Sequence, residues 1–558
     1  MSDTAILPRS QRLKQHFKDR YSQLQDIRRP MEALWKLVDE VVLPYVFTPP
    51  SKDKSSTDFS ISVNKKIYDG TTMNASQVAT NAFIGATMPQ SANWVLIVAE
   101  DESQSRNRNF AKWSKLAEKI VYGKLRRSNF YFSRNNFVKQ GLDYGTSASI
   151  RKVDSIREEY VFETLPRMTY YIDDDENGEC NTLWREIWMY NKYVVKNFDL
   201  SELEEGKRAE IRNNPNKRTL VIHAVEPRDD FDPTSRLSVK RKFASYYFIA
   251  GDFTILEESG YKRFPYKVWR PVREPGMVYG LGPGIFAIRD SHVLQAAAKT
   301  MIDAANRSVD PPWAVPKSIE GEEELFPGGR TYVNPEDIQG LAPLVSGMNY
   351  PLGKDWVQEL KEACKRHYMV DSLLVLSQMD SGDRTATEVD ELKAEKSQMI
   401  SAILSSFCSE YLDMELEDLI LDMLDAGTIP MLQTPGKNQS AYKFDYVGPL
   451  PAQQRTVHRT AGIRRLFAEV APYAKVSQTI LDWLDEGEFV EAIGEGYNAL
   501  NGVRERKDVE KIQQTRAQMQ QAQMQQQMAL QQAQVAAEIA SKGGKAPEPG
   551  SMAQRVGQ

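Results

Sequence analysis

Tyr279-Gly280-Leu281-Gly282-Pro283-Gly284-Ile285-Phe286 opens the stretch whose reading decides the fold. Pro283 suits the first turn of a helix, where a missing N–H is no loss. From there Leu294, Ala297, Met301 and Ala305 recur at helical spacing until Asp310-Pro311-Pro312 ends the run. Pro316, Pro327, Pro335, Pro343 and Pro351 then punctuate a compact insertion. Trp356, Leu360, Ala363, Cys364, Val370 and Leu374 draw the stripe of a second helix. A polar loop follows: Gln378-Met379-Asp380-Ser381-Gly382-Asp383-Arg384. Thr385-Ala386-Thr387-Glu388 has the spacing of a capping box, in which a Thr and a Glu satisfy each other's backbone N–H groups. The helix it opens meets no Gly or Pro before Gly427. At 1.5 Å per residue this predicts a rod roughly 60 Å long. A rod of that length needs neighbours along it.

Composition bounds what surrounds this stretch. The 558 residues suffice for several domains, and a hydrophobic share of 41% is that of a chain with a packed core. Cys180, Cys364 and Cys408 lie far apart, without a CxxC pair. That argues for reduced thiols and against a disulfide framework or a zinc site. No apolar run approaches the ~18 residues of a membrane span, and the chain is read as soluble. The net charge is −5. A protein that grips DNA tightly is usually basic, because phosphate neutralisation supplies most non-specific affinity. The charge therefore argues against a clamp, but not against a conduit through which DNA slides.

Ahead of the central stretch, residues 9–43 read as a helix interrupted only by Pro30, with Leu24, Ile27, Met31, Leu34, Trp35 and Val38 on one face. Residues 72–87 and 104–127 read as helices, with a strand at Trp94-Val95-Leu96-Ile97-Val98 between them. Asn129-Phe130-Tyr131 leads into another helix, ending near Asp143-Tyr144-Gly145-Thr146. From Ile150 to Ile255 the period shifts to two, predicting a β-rich part, with a charged helix expected over residues 191–220. After the long helix come a strand at residues 442–447, short helices over residues 452–503, and a Gln/Ala/Met-rich helix over residues 504–541. The tail, residues 542–558, reads as disordered. The fold class is mixed α+β, predominantly α.

Few residues read as chemistry. Asp173-Asp174-Asp175-Glu176-Asn177-Gly178 fits the first half of a calcium loop, but Trp184 stands where the bidentate Glu belongs, so a hairpin turn is the reading and no metal is expected. Gly280, Gly282 and Gly284 resemble a phosphate loop only superficially. Pro283 removes an N–H at its centre, and a tight turn into a helix is the reading. His16, His223, His292, His367 and His458 show no ligand or catalytic spacing, and no cofactor is expected. Glu322-Glu323-Glu324 is a solvated acidic run or a docking surface for a basic partner. Lys361, Lys365 and Arg366 have two open readings: cations facing a channel, or ion-pair partners of Glu359 and Glu362 in a neighbouring subunit. Taken alone, the 378–384 loop is an ordinary helix–helix connection.

Taken together, Tyr279-Gly280-x-Gly282-Pro283-Gly284, Asp310-Pro311-Pro312, Thr385-Ala386-Thr387-Glu388-Val389 and Val447-Gly448-Pro449-Leu450 with Gln453-Gln454-Arg455 resemble the portal (head-to-tail connector) proteins of short-tailed phages. The resemblance implies a ring, a dodecamer in that family, built from wing, stem, clip and crown. Mapped onto this chain it implies a wing over residues 1–284, stem helices at 285–310 and 353–378, and a clip at 311–352. A tunnel loop falls at 379–385, the long wing helix and strand at 386–450, a crown at 451–503 and a barrel helix at 504–541. Gln378 to Arg384 would then face duplex DNA, with Arg384 the loop's cation, and Glu322–Glu324 would sit on the docking rim. The implied partners are further copies of the chain, the major capsid protein and scaffold, the large terminase subunit and tail adaptor or nozzle proteins. The implied place is the portal vertex of the virion, and the implied role is passage of the genome in packaging and ejection, with no enzymatic step. Two rival readings are a nucleic-acid-processing enzyme with an unrecognised site, and a scaffold protein organised by the Gln-rich helix as a coiled coil.

Overall fold

A computed structural model of the chain describes residues 9–43, 45–48, 60–65, 67–100, 108–154, 157, 159–309, 313–314, 342–343, 350–377, 386–431, 442–448 and 506–542. The chain divides into two compact units, residues 1–454 and 455–558.

The first unit begins with α1 (Arg9–Val41), which runs through Pro30. Phe17, Tyr21, Leu24, Met31, Trp35 and Val38 are buried at intervals of three, four or seven, so apolar contact on both sides of the proline holds the helix together. A ribbon of β1 (Tyr45–Thr48) and β2 (Ser60–Val63) follows. Next is α2 (Thr71–Thr87), whose Ala75, Ala79, Ala82 and Ala86 allow close packing. β3 (Val95–Ala99) pairs with the distant β12 (Tyr442–Tyr446). Between them in sequence lie α3 (Arg108–Arg127) and α4 (Phe130–Tyr144).

Two antiparallel sheets form the β-rich part. One has the order β11-β4-β5, from β4 (Ser147–Asp154), β5 (Glu159–Thr164) and β11 (Tyr266–Trp269). The other is a five-stranded meander of β6 (Tyr170–Asp174), β7 (Cys180–Tyr190), β8 (Arg218–Pro227), β9 (Phe243–Ile249) and β10 (Ile255–Tyr261). Side chains alternate across a strand, so each face of the meander takes its own cover. Ile222 and Ala224 pack with α1, where Phe17 stacks on Phe248 at 4.6 Å and meets Trp184 edge-on at 5.9 Å. Val221 and Ile249 pack on the other side against Val194, Leu203 and Ile211 of the 191–213 region. Each such side chain contributes about 1.5–3 kcal/mol when fully buried.

The helix expected over residues 191–220 is corrected. It is two short helices, α5 (Asn191–Asn197) and α6 (Glu205–Asn213), and the chain is already in β8 by Arg218. Asp199 accepts the Ser201 N–H at 3.0 Å, a local turn that competes with helix, and pairing with β7 draws Arg218–Leu220 into the sheet.

The central stretch forms α7 (Pro283–Phe286), α8 (Ile288–Val309), α9 (Tyr350–His367) and α10 (Val370–Ser377). The second helix therefore starts at Tyr350 rather than 353, with Pro351 tolerated in its first turn. It is also not continuous to 378, because Met369 adopts a left-handed φ of 51° and separates α9 from α10. The long rod is present as α11 (Ala386–Phe407) and α12 (Asp413–Asp425), joined by a single π-type turn at Cys408–Leu412. Its expected neighbours exist. Phe407 meets Phe83 and Trp269 edge-on at 5.2 and 4.9 Å, and Tyr411 lies 4.5 Å from Phe137. In the second unit the described element is α13 (Arg506–Lys542).

Candidate functional site

The α8–α9 hairpin buries Leu294, Ala297 and Ala298 and is tied at its root to α2 and the C-terminal end of α4 by a set of polar contacts. Thr72 and Ser291 share a hydroxyl hydrogen bond at 2.9 Å, and Ser291 also meets the buried Cys364. Gln295 accepts the N–H groups of Tyr68 and Asp69 at 2.7 and 2.9 Å and donates to the Asp69 carbonyl at 2.8 Å. One glutamine side chain thus satisfies three backbone groups ahead of α2. Lys361 pairs with Asp69 at 2.8 Å, and His367 of α9 with Asp290 of α8 at 2.7 Å. Burial pushes the Asp69 carboxyl up, but hydrogen bonds from Lys361 and Thr71 outweigh it and hold the carboxyl below the usual range.

Asp143 is the root of this arrangement. It is 1% exposed and accepts from Ser76 of α2 (2.6 Å), Tyr368 at the α9–α10 break (2.8 Å) and Lys139 of its own helix (3.0 Å). A carboxylate in the last turn of a helix faces the unfavourable end of the backbone dipole, so its place depends on these donors. The break at Met369 brings the Tyr368 hydroxyl onto this carboxylate. Gly145 then ends α4 with a left-handed φ of 76°.

The glycine motif enters α7 against the same helix end. A Cβ on Gly284 would lie 2.3 Å from the Asp143 carbonyl and 2.8 Å from the Tyr368 hydroxyl. The close approach of two backbones requires glycine here. The expected tight turn into a helix is what the structure shows.

The acidic turn is likewise accounted for. Gly178 donates its N–H to the Asp175 carbonyl at 3.0 Å, closing the β6–β7 hairpin. Asp173 pairs with Arg20 at 2.7 Å. Arg270, 2% exposed, holds both oxygens of Asp174 at 2.7 Å and pairs at 2.9 Å with Glu410 of the π-type turn. Burial raises the Asp174 carboxyl above its ordinary range, with Arg270 opposing. Arg270 therefore ties β11, the β6–β7 hairpin and the long rod together. Among the described residues, no cluster of three or more His, Cys, Asp and Glu could hold a metal ion.

Of the residues named for a channel or a docking surface, Lys361, Lys365 and Arg366 fall within the described part. Lys361 is engaged by Asp69, Lys365 pairs with Glu362 one turn earlier on the same helix at 2.9 Å, and Arg366 is exposed. Gln378 to Arg384 and Glu322 to Glu324 lie outside the described residues, as do residues 451–503 and 543–558. Sequence reasoning missed Asp143 and Arg270. For Asp143 a signal existed, since Lys139 stands four residues earlier on the same helix. For Arg270 there was none, because its partners lie some 96 and 140 residues away in sequence.

Buried charges lock distant elements together, and the α8–α9 hairpin is anchored at its root. The chain belongs to the bacteriophage head to tail connecting protein family, whose family model matches residues 14–504. It is 25% identical over 474 residues to a protein of Bordetella phage BPP-1 named as a probable portal protein, covering 84% of each chain. It is 22% identical over 521 residues to the portal protein of Salmonella phage epsilon15, covering 90% of this chain and 91% of that one.

Proposed function

We propose that the chain is one subunit of a ring-shaped portal, expected to be a dodecamer, through which double-stranded phage DNA enters the head and later leaves it. As a head-to-tail connector it sits in the virion, at the vertex where head meets tail. In this reading α8 and α9 are staves of the passage and the loop Gln378–Arg384 faces its bore, with Arg384 and the exposed Arg366 meeting phosphates in transit. Lys361, held by Asp69, orders the stave instead. The segment containing Glu322–Glu324 forms the outer rim that receives the packaging ATPase (the large terminase subunit) and then tail adaptor or nozzle proteins. The wing meets the major capsid protein and scaffold. The portal itself performs no chemistry, and the energy for translocation comes from the terminase.

The observation that carries this reading is the hairpin's surface. It is rooted by Asp143 and Gln295 on one side, yet leaves Ile302 and Trp356 at 44 and 51% exposure, next to Phe286 of α7 at 45%. Large apolar side chains held in solvent by a rigid hairpin fit contact with adjacent copies of the same chain. The test is to end the chain after residue 503 and measure its assembly state by analytical ultracentrifugation. A multi-subunit species that survives truncation supports contacts along stem and wing. Reversion to monomer supports organisation by the Gln-rich helix instead.

A further inference from the structure

In a chain of net charge −5, α3 stands apart. Its twenty residues carry Arg108, Lys112, Lys115, Lys119, Lys124, Arg126 and Arg127 against a single acid, Glu118. Phe110, Trp113, Ala117, Val121 and Leu125 are buried, fixing which face of the helix looks inward. The residues left exposed include Lys112, Lys115, Lys119, Arg126 and Arg127. Lys112, Lys119 and Arg126 are seven residues apart in turn, so they fall on one stripe, about 21 Å from end to end. Glu118 does not neutralise that stripe from its centre. Its carboxylate accepts the Ile97 N–H at 2.8 Å and is turned toward β3. Among the described residues no carboxylate lies within ion-pair distance of Lys112, Lys119, Arg126 or Arg127.

We propose that this face of α3 is a docking surface for the phosphate backbone of duplex DNA lying outside the central passage. Four exposed cations with no carboxylate partner among the described residues, one of them Arg126 over the Tyr122 ring at 5.8 Å, are a site for a polyanion. Duplex DNA presents one phosphate per strand about every 3.4 Å, so the stripe spans roughly six of them on a strand. The alternative polyanion is an acidic protein surface. A protein interface would have an apolar or aromatic centre with charges at its rim. On this face of α3 the one exposed large apolar side chain is Leu116, at 43%, beside Lys112 and Lys119; a single leucine among five exposed cations does not make the apolar centre of a protein interface, and the observations favour phosphate. The contact would let DNA stored against the portal lie along its wing without entering the bore. It rests on the reading that the protein works in contact with duplex DNA.

The test uses the full-length assembled protein and a covalently closed circular duplex, which cannot thread a closed ring. Binding is followed by gel shift over a range of salt. The charge-reversed K112E/K119E/R126E/R127E protein is expected to bind the circle at least tenfold more weakly. Its log–log salt slope should be shallower by about 3–4, since each phosphate contact contributes close to 0.9. K112Q/K119Q, a milder change, should give roughly half that loss of slope and covers the case in which the fourfold variant misfolds. Unchanged circle binding in folded variants overturns the proposal. So does a stripe-dependent affinity for polyglutamate with none for the duplex, which would assign the face to an acidic protein. Ring images of the same preparations test the portal reading separately, so the two can fail independently.

Discussion

The five-stranded meander and the α8–α9 hairpin are stabilised in opposite ways. The meander is covered on both faces within the chain, and its large residues are consumed there: Trp184 is fully buried among Phe17, Tyr21 and Phe248. Among the described residues the hairpin buries only small apolar residues and Leu294, is pinned by polar contacts at its root, and leaves Trp356 half in water. The difference separates a part whose large apolar residues are covered within one copy of the chain from a part that leaves some of them in water.

Replacing one tryptophan in each region should break this comparison if it is wrong. Trp184→Ala removes a fully buried ring, and chemical denaturation should show a loss of about 3–5 kcal/mol. Trp356→Ala should leave the unfolding of the single chain within about 0.5 kcal/mol of the parent. Its effect should instead appear as weaker assembly in sedimentation. Equal stability losses at the two sites would remove the distinction.

The hairpin's root offers the next largest effect. Asp143→Ala leaves the Tyr368 and Ser76 hydroxyls without their acceptor and the Lys139 ammonium with only the Ser76 hydroxyl oxygen, and should destabilise by about 3 kcal/mol. Asp143→Asn, which keeps an acceptor but loses the charge, should cost less. If the alanine variant unfolds like the parent, Asp143 is not the root.

Within the meander, His223 lies between Tyr266 (2.6 Å) and Ser245 (3.0 Å) and stacks on Tyr247 at 4.1 Å. Burial, helped by Arg185 and Lys152, lowers its pKa from 6.5 to about 3. Its folded pKa is below its unfolded one. The unfolded chain therefore takes up this proton first, and stability is lost as the pH falls from about 6.5 toward 3. Thermal melts across that window should show the decline, and His223→Gln should remove this residue's share of the slope. The smallest effect belongs to Lys361. The Lys361–Asp69 pair is partly solvated, so Lys361→Ala should cost under about 1 kcal/mol.

Much of this contrast was legible in the sequence. The α1 stripe, the paired helices around the insertion and the unbroken run to Gly427 all follow from periodicity and from the placement of Pro and Gly, which act locally. The β-rich part showed as a change of period. What escaped were features set by distant partners. Nothing around Met369 marks a left-handed residue, because the break is tied to Tyr368 reaching Asp143 across the fold. The 191–220 segment misled because its charged, helix-favouring residues are overruled by pairing of Arg218–Leu220 with β7. The basic face of α3 was visible as composition, but which of its residues point outward depends on what Trp113 and Val121 pack against. The candidate loop was found through its family resemblance, since its own residues describe only a polar turn.

If the hairpin and the loop after it enclose a passage, negative-stain electron microscopy of the purified protein will show rings with a central hole wide enough for duplex DNA. Compact particles with no hole, at concentrations where the chain is fully folded, would contradict that enclosure.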